Sequence, residues 1–340
     1  MAETVHIDDA QPVTIDEHLR LLTDDDSVIE SKFSDVSPAD LPEWFDEKLF
    51  KTGQAYYKRN MLGISVASVM GLIAILSVPE IFNVLILTNA SSSACTAFTR
   101  YLQTVLHTHA LFFSDINDPN SKYYKSVNLI RWKHSTSTKK ATKANIGGIS
   151  HKSMAITQFG FLGYSLISPT AMGLSNRPEE REGFNHFWRV TGHALGISDR
   201  LNLCRKTADE TTVLCRRLAH EILAKNLQNP EPQFVELSRY ALEGFWYIDS
   251  AMDADAFLAM TYQHTGAKYP KPLGWYSWLN MKFREYTLYI CTVPVLGFIV
   301  RTYFNWFLQF NYWLIPKLPL AAWLAFGKNR TRIQLYPKYK

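Results

Sequence analysis

The chain has 340 residues, 47% of them hydrophobic and 14% aromatic, which is enough to bury a large core and excludes a disordered or fibrous protein. Its formal charge of +5 is unevenly spread. Residues 1–50 hold fourteen Asp/Glu and three Lys/Arg, so the remaining 290 carry 33 basic and 17 acidic residues, a net of +16. A basic body suits anionic lipid, an anionic cofactor or nucleic acid, but no basic block alternates with aromatics as in a nucleic-acid module, and none is expected as a partner. Cys95, Cys204, Cys215 and Cys291 stand far apart without a CxxC pair, which argues against a zinc module or disulfide framework.

In chain order, residues 1–40 are acidic and poor in large apolar side chains and read as a flexible leader. No basic stretch followed by an apolar run marks a cleavable signal peptide. A helix is expected after Pro42, in LPEWFDEKLF. From Asn60 to Thr99 the only charge is Glu80. Residues 60–79 would span ~30 Å as a helix, so they are a transmembrane candidate; their Gly63, Ser65, Ala67, Ser68 and Gly71 suit a buried core helix equally. DINDPNSKYY at 115–124 reads as a loop. KHSTSTKKATKANIGG at 133–148 reads as an exposed basic loop after a helix ending near His134.

Residues 151–168 return to helical spacing. Glu179, Glu180 and Glu182 then open a helix containing HFWRVTGHALGI at 186–197. His186 and His193, seven residues apart, share its face. Gly192 and Gly196 weaken that helix by about 1 kcal/mol each and imply close approach of another helix or of a flat ligand. Further helices are expected at 208–227, 232–248 and 252–264, the last after DSAMDAD, whose carboxylates fit a solvated helix start better than a calcium loop.

Between Tyr286 and Phe326 only Arg301 and Lys317 are charged, TYFNWFLQFNYWLIP has seven aromatics in fifteen residues, and the tail is basic. Pro294, Pro316 and Pro319 break this run into pieces suited to lying on a membrane rather than to clean spans. Three parts follow: a leader at 1–40, a helical body at 41–285 and an aromatic segment at 286–340. Strand signals are sparse, and the fold is expected to be all-α. GxSxG, P-loop, GxGxxG and HExxH signatures are absent. The remaining chemical candidates are Arg131, His134, His151, His186 and His193, which a helical fold could gather into one pocket.

LIRWKHS at 129–135, MAITQ at 154–158 and WRVTGHALGI at 188–197 together resemble the catalytic domain shared by the ER-bound oxygenases of mycophenolic acid biosynthesis and the rubber oxygenases (latex-clearing proteins). EWFDEKLFKTGQAYYKRN and TRYLQT upstream fit as well, so the resemblance covers roughly residues 41–265. It implies a globin-like all-α fold around haem b, with O2 cleaving a carbon–carbon double bond in an isoprenoid-like substrate. It implies Arg131 and His134 as catalytic residues. His193 is implied as the candidate iron ligand or a packing partner, with Gln158 at the alternative ligand position. Gly192 and Arg189 complete the expected haem contacts, Gly192 allowing close approach and Arg189, Lys133 or the Lys139–Lys140 pair meeting propionates. The resemblance also favours a core helix over a span at 60–79. It implies an ER-membrane protein with a cytosolic catalytic domain, anchored through its aromatic C-terminal region. A glutamine is a poor iron ligand, so the same residues also admit a non-catalytic scaffold of this fold that has lost the iron.

Overall fold

The computed structural model describes residues 10–29, 33–89, 91–145 and 147–338. These residues form helices and no strand, apart from an isolated bridge between Val28 and Ser150. The all-α expectation holds.

The acidic leader is not a loose tail where it is described. Helix α1 (Ile15–Asp24) starts at a capping box, in which Glu17 N–H donates to Thr14 Oγ1 and Thr14 N–H donates to Glu17 Oε2. It buries His18, Leu19 and Leu22 at helical spacing. Its acidic neighbours reach the basic body, with Asp16 on Arg217, Asp25 on Arg200 and Asp26 on Lys152. The low apolar content that suggested a tail is offset by a narrow stripe and ion pairs to later residues. Leu22→Ala should therefore cost about 2–4 kcal/mol in denaturant unfolding; a loose leader would give no change.

The expected helix after Pro42 begins later. Phe45 N–H closes a turn onto the Pro42 carbonyl, and Asp46 caps α2 (Glu47–Arg59) by accepting from Leu49 N–H at 2.9 Å. A 94° bend separates α2 from α3 (Met61–Ile75). Most of α3 is buried inside the protein, including Met70, Ile73 and Ala74 at 0% exposure, so the uncharged 60–79 stretch is a core helix. Among the described residues no single helix is long and apolar enough to cross a membrane.

Helices α4 (Pro79–Leu87) and α5 (Ala94–Phe113) follow. Then α6 (Lys122–Lys143) corrects the expected loop at 133–148: the helix runs well past His134. Ser135, Thr138 and Ala141, three residues apart, are buried along one side, so small residues that looked like loop composition form a packing stripe. Next come α7 (His151–Ile167), α8 (Pro178–Ala194) and α9 (Ala208–Leu218), which continues through a π turn (Ala219–Leu223) to Gln228. Helices α10 (Pro232–Trp246) and α11 (Ala254–Thr265) complete the body. Asp253 caps α11 through Ala256 N–H, as the helix-start reading of DSAMDAD requires. The last pieces are α12 (Trp275–Thr292), α13 (Leu296–Leu314) and α14 (Leu320–Phe326).

Two glycine crossings set the centre of the body. Gly71 of α3 lies against the Gly160 backbone of α7, and Gly53 of α2 against Gly183 of α8. Beside them a ladder of rings joins three helices, with Phe112 stacked between Tyr57 at 4.0 Å and Phe187 at 3.9 Å. These crossings fix α7 and α8 side by side and so place the residues considered next.

Candidate functional site

The face of α8 that carries His186, Arg189 and His193 is covered by a flat group of the chain itself. Trp44, ahead of α2, meets His186 and His193 edge-on, each with ring centroids 5.9 Å apart, and the Arg189 guanidinium lies 4.4 Å above its ring. His186 Nε2 accepts from Asp46 N–H at 3.0 Å, and burial pushes its pKa down to about 4. His193 pairs through Nδ1 with Asp199 Oδ1 at 2.8 Å in the turn after α8. A carboxylate on the far nitrogen is how an imidazole is oriented to act as base or ligand.

Gly192 serves a different partner from the expected flat cofactor. A Cβ there would overlap the Gln158 amide nitrogen and come within 3.0 Å of Asn202 Nδ2. Gln158 is fully committed. Its Nε2 donates to the Trp188 carbonyl at 3.2 Å and Asn202 Oδ1 at 3.1 Å, and its Oε1 accepts from Leu203 N–H at 2.9 Å. Asn202 Nδ2 in turn donates to the Arg189 carbonyl at 2.9 Å. This buried amide cluster pins α7 to the end of α8 and to the following turn. Its bonds leave the Gln158 amide no role toward an iron, and the room beside Gly192 is filled.

Arg131 belongs to the same end of α8. Its Nη1 donates to the Ala194 carbonyl at 3.1 Å and its Nε to the Ser34 carbonyl at 3.4 Å. A cation at a helix C-terminus meets the negative end of the helix dipole. Gly196, at φ +86°, permits the contact, since a Cβ there would sit 2.7 Å from Arg131 Nη1.

His134, one turn after Arg131, is in a different state. Its Nδ1 is enclosed by protein and has no hydrogen-bond partner among the described residues. Burial, then the charges of Arg100, Lys133 and Arg131, push its pKa down to about 4, so the ring is neutral at pH 7. Lys133 Nζ donates to Gln103 Oε1 at 3.2 Å, and burial together with Arg100 lowers its own pKa. A neutral imidazole beside three cations has the chemistry to ligate a metal ion through whichever ring nitrogen carries no proton. An unpaired buried nitrogen otherwise costs about 1–3 kcal/mol.

The five candidates therefore separate. His193 and Arg131 gather at the end of α8, joined by His151, whose Nδ1 accepts from Ser198 N–H at 3.1 Å. His186 is taken up in packing, and His134 faces the α5 side with Arg100. Sequence reasoning missed Trp44, Asp199, Asn202 and Arg100. Trp44 and Arg100 stand in the quoted upstream segments EWFDEKLF and TRYLQT, and Asp199 lies six residues past His193, but nothing in their spacing identified their partners. Two surface depressions of about 570 and 440 Å3, one beside Gln263 and Met281 and one beside Lys48 and Thr52, involve none of Arg131, His134, Gln158 or His193. Among the described residues no three His, Cys, Asp or Glu side chains are placed to hold a metal ion between them; a haem iron needs fewer protein ligands.

For haem, the donor chemistry of His134 and its cations fits, while Gln158 and Gly192 do not. No family model and no curated protein sequence matches the chain. Among solved structures it is similar to latex clearing protein in its closed state, with 15% identity and a TM-score of 0.52, over 81% of this chain and 76% of the other. At that identity the likeness is one of fold.

Proposed function

We propose that the chain is a haem-dependent oxygenase that uses O2 to cleave a carbon–carbon double bond in a hydrophobic, isoprenoid-like substrate, with its chemistry at the α5–α6 side. The observation that carries this is the enclosed His134 Nδ1, without a partner among the described residues, beside Arg100, Arg131 and Lys133. The shared fold with a protein named for clearing latex supports the substrate class. Alkene cleavage by one O2 to two carbonyl groups balances without an external reductant.

In this assignment His134 would hold the iron, and the haem would supply oxygen activation when bound. Arg100 and Lys133 offer the positive charge that propionates require. Arg131, held in position by the Ala194 carbonyl, keeps a fixed guanidinium one turn from His134, where it would add to the positive charge available to an anionic group of the cofactor. The low pKa of His134 keeps the ring neutral across the neutral range, so that one of its two nitrogens is free to ligate.

A second reading, a non-catalytic scaffold of the same fold, is favoured by one observation: the amide cluster of Gln158 and Asn202 seals the space beside Gly192. Absorption spectra with iron quantified on the same samples separate the two. The full-length protein should show a Soret band near ~400 nm and about one iron per chain. His134→Ala should abolish it, while His193→Ala retains it. Loss in His193→Ala alone would move the ligand to the His193–Asp199 pair. A colourless wild-type protein that takes up no added haem would leave the scaffold.

A further inference from the structure

Helices α12 and α13 are amphipathic in the opposite sense from helices that face water. The inner face of α12 carries Ser277, Met281, Arg284, Leu288 and Cys291. Arg284 is only 9% exposed, donates to the Ala251 carbonyl at 2.6 Å and lies 4.6 Å above the Phe257 ring. The outer face carries Trp275 at 79% exposure, with Trp278, Phe283, Tyr286 and Tyr289 also exposed. On α13, Asn305 turns inward, donating to the Arg59 carbonyl at 2.7 Å and accepting from Leu62 N–H at 3.3 Å. Phe298, Tyr303, Trp306 and Trp313 point outward, Trp306 at 66% exposure. In α14, Leu324 is 90% exposed. Polar groups such as Arg284 and Asn305 drawn in and large aromatics left out is the arrangement of a surface whose outer neighbour is apolar.

We propose that the outer face of α12–α14 seats the protein in the headgroup layer of an anionic bilayer, with both long helices lying in the membrane plane. The charge of the segment selects this occupant: residues 266–340 contain ten Lys/Arg besides the inward Arg284 and a single acidic residue, Glu285. That glutamate is already paired with Lys282 at 2.6 Å. Lys317 Nζ lies 4.0 Å from the Trp313 ring and Lys328 Nζ 5.3 Å from the Trp323 ring, so cation and ring share one depth, as at a lipid interface. A second copy facing this surface would bring two positive segments together. Among the described residues of the acidic leader, Asp16, Asp25 and Asp26 are paired with Arg217, Arg200 and Lys152 instead.

Seating rather than spanning follows from how the helices are held. They meet at 119° around Val293–Val295. The inner face of α13 is bonded to α2 and α3, at Lys58 and Arg59 through Asn305 and at Ser65 through the Tyr312 hydroxyl. Neither helix can leave the body to cross a bilayer without breaking those bonds. This inference stands on the surface alone and does not depend on the chemistry at His134.

The test is flotation of the full-length protein with vesicles of phosphatidylcholine, with and without phosphatidylserine. The protein should float with the anionic vesicles, and added salt should weaken this without abolishing it. Phe298→Glu with Trp306→Glu should reduce the bound fraction by ~10-fold or more. The thermal melt should stay unchanged, because both side chains point outward. Wild-type protein that stays at the bottom with both vesicle types would overturn the proposal, as would a double variant that floats like wild type. Equal binding to neutral vesicles would overturn the choice of anionic lipid. A stable dimer that buries Trp306 and ignores vesicles would assign the face to a second copy.

Discussion

Acidification from pH 7 to pH 5 should strip several kcal/mol from the folding stability, and the guanidinium midpoint should fall steeply over that range. Four imidazoles, three buried and one half-buried, are responsible. His18, His107, His109 and His186, none of them assigned to a cofactor, each have their pKa pushed down to about 4, in every case mainly by burial. In the unfolded chain each returns to the ordinary value near 6.5. Above that pH both states are neutral and the rings exert no pull. Below it the unfolded chain takes up protons that the folded protein refuses until about pH 4, so stability is lost as the pH falls between those limits. At pH 5 each ring contributes about 1–2 kcal/mol to the loss, comparable in sum with the whole stability of a typical domain. Neighbouring cations add to the effect, Arg205 beside His18 and Lys58 and Lys122 beside His109. Titration of the unfolding midpoint from pH 7.5 to 4.5 measures the slope. His109→Phe, which keeps a ring against Phe113 and Tyr312, should reduce that slope by about one proton. An unfolding midpoint that does not move between pH 7 and 5 would show that these rings titrate normally.

Gly71→Ala should destabilise the protein by about 3 kcal/mol, whereas Gly160→Ala, across the same helix crossing, should cost little. The two glycines face each other, but their added methyl groups would meet different matter. At Gly71 a Cβ would stand 2.5 Å from the Gly160 carbonyl oxygen and 2.9 Å from its Cα, all backbone of α7. Relief requires α3 and α7 to separate, and that contact lies at the centre of the core. At Gly160 the nearest atom is the end of a side chain, Ile75 Cδ1 at 3.0 Å, which can turn aside. The helix preference for alanine, about 1 kcal/mol over glycine, then offsets much of the strain. Unfolding midpoints of the two variants measure the asymmetry. Equal effects would mean the crossing is looser than these contacts, and a neutral Gly71→Ala would remove it as an anchor of the core.

Much of the plan is legible along the chain. Helical spacing predicts α7, α8, α9, α10 and α11 to within a few residues, because each buries a stripe set by its own periodicity. DSAMDAD reads correctly as a helix start for a similarly local reason: a carboxylate three residues before a free N–H caps it. The segregation of acidic residues into the first fifty and basic residues into the rest also carries structural meaning, realised as the pairs of Asp16, Asp25 and Asp26 with the body. Composition failed where small or polar residues pack. KHSTSTKKATK looked like a loop, yet Ser135, Thr138 and Ala141 form the buried side of α6, and the thinly apolar leader docks through His18, Leu19 and Leu22.

By itself, then, the sequence determined most of the helices of the body and where charge accumulates, since these depend on neighbours within one or two turns. Only the tertiary structure decided what the helix faces meet. Gly192 opens onto the Gln158 amide, Trp44 lies where a flat ligand was expected against His193, Arg131 caps α8, and His134 Nδ1 is left without a partner among the described residues. It also set which side of α12 and α13 turns outward, since Arg284 and Asn305 are drawn in by carbonyl groups of other segments. Each outcome depends on the register between segments distant in sequence, and steric fit and hydrogen-bond geometry across a helix crossing change completely with a shift of one residue.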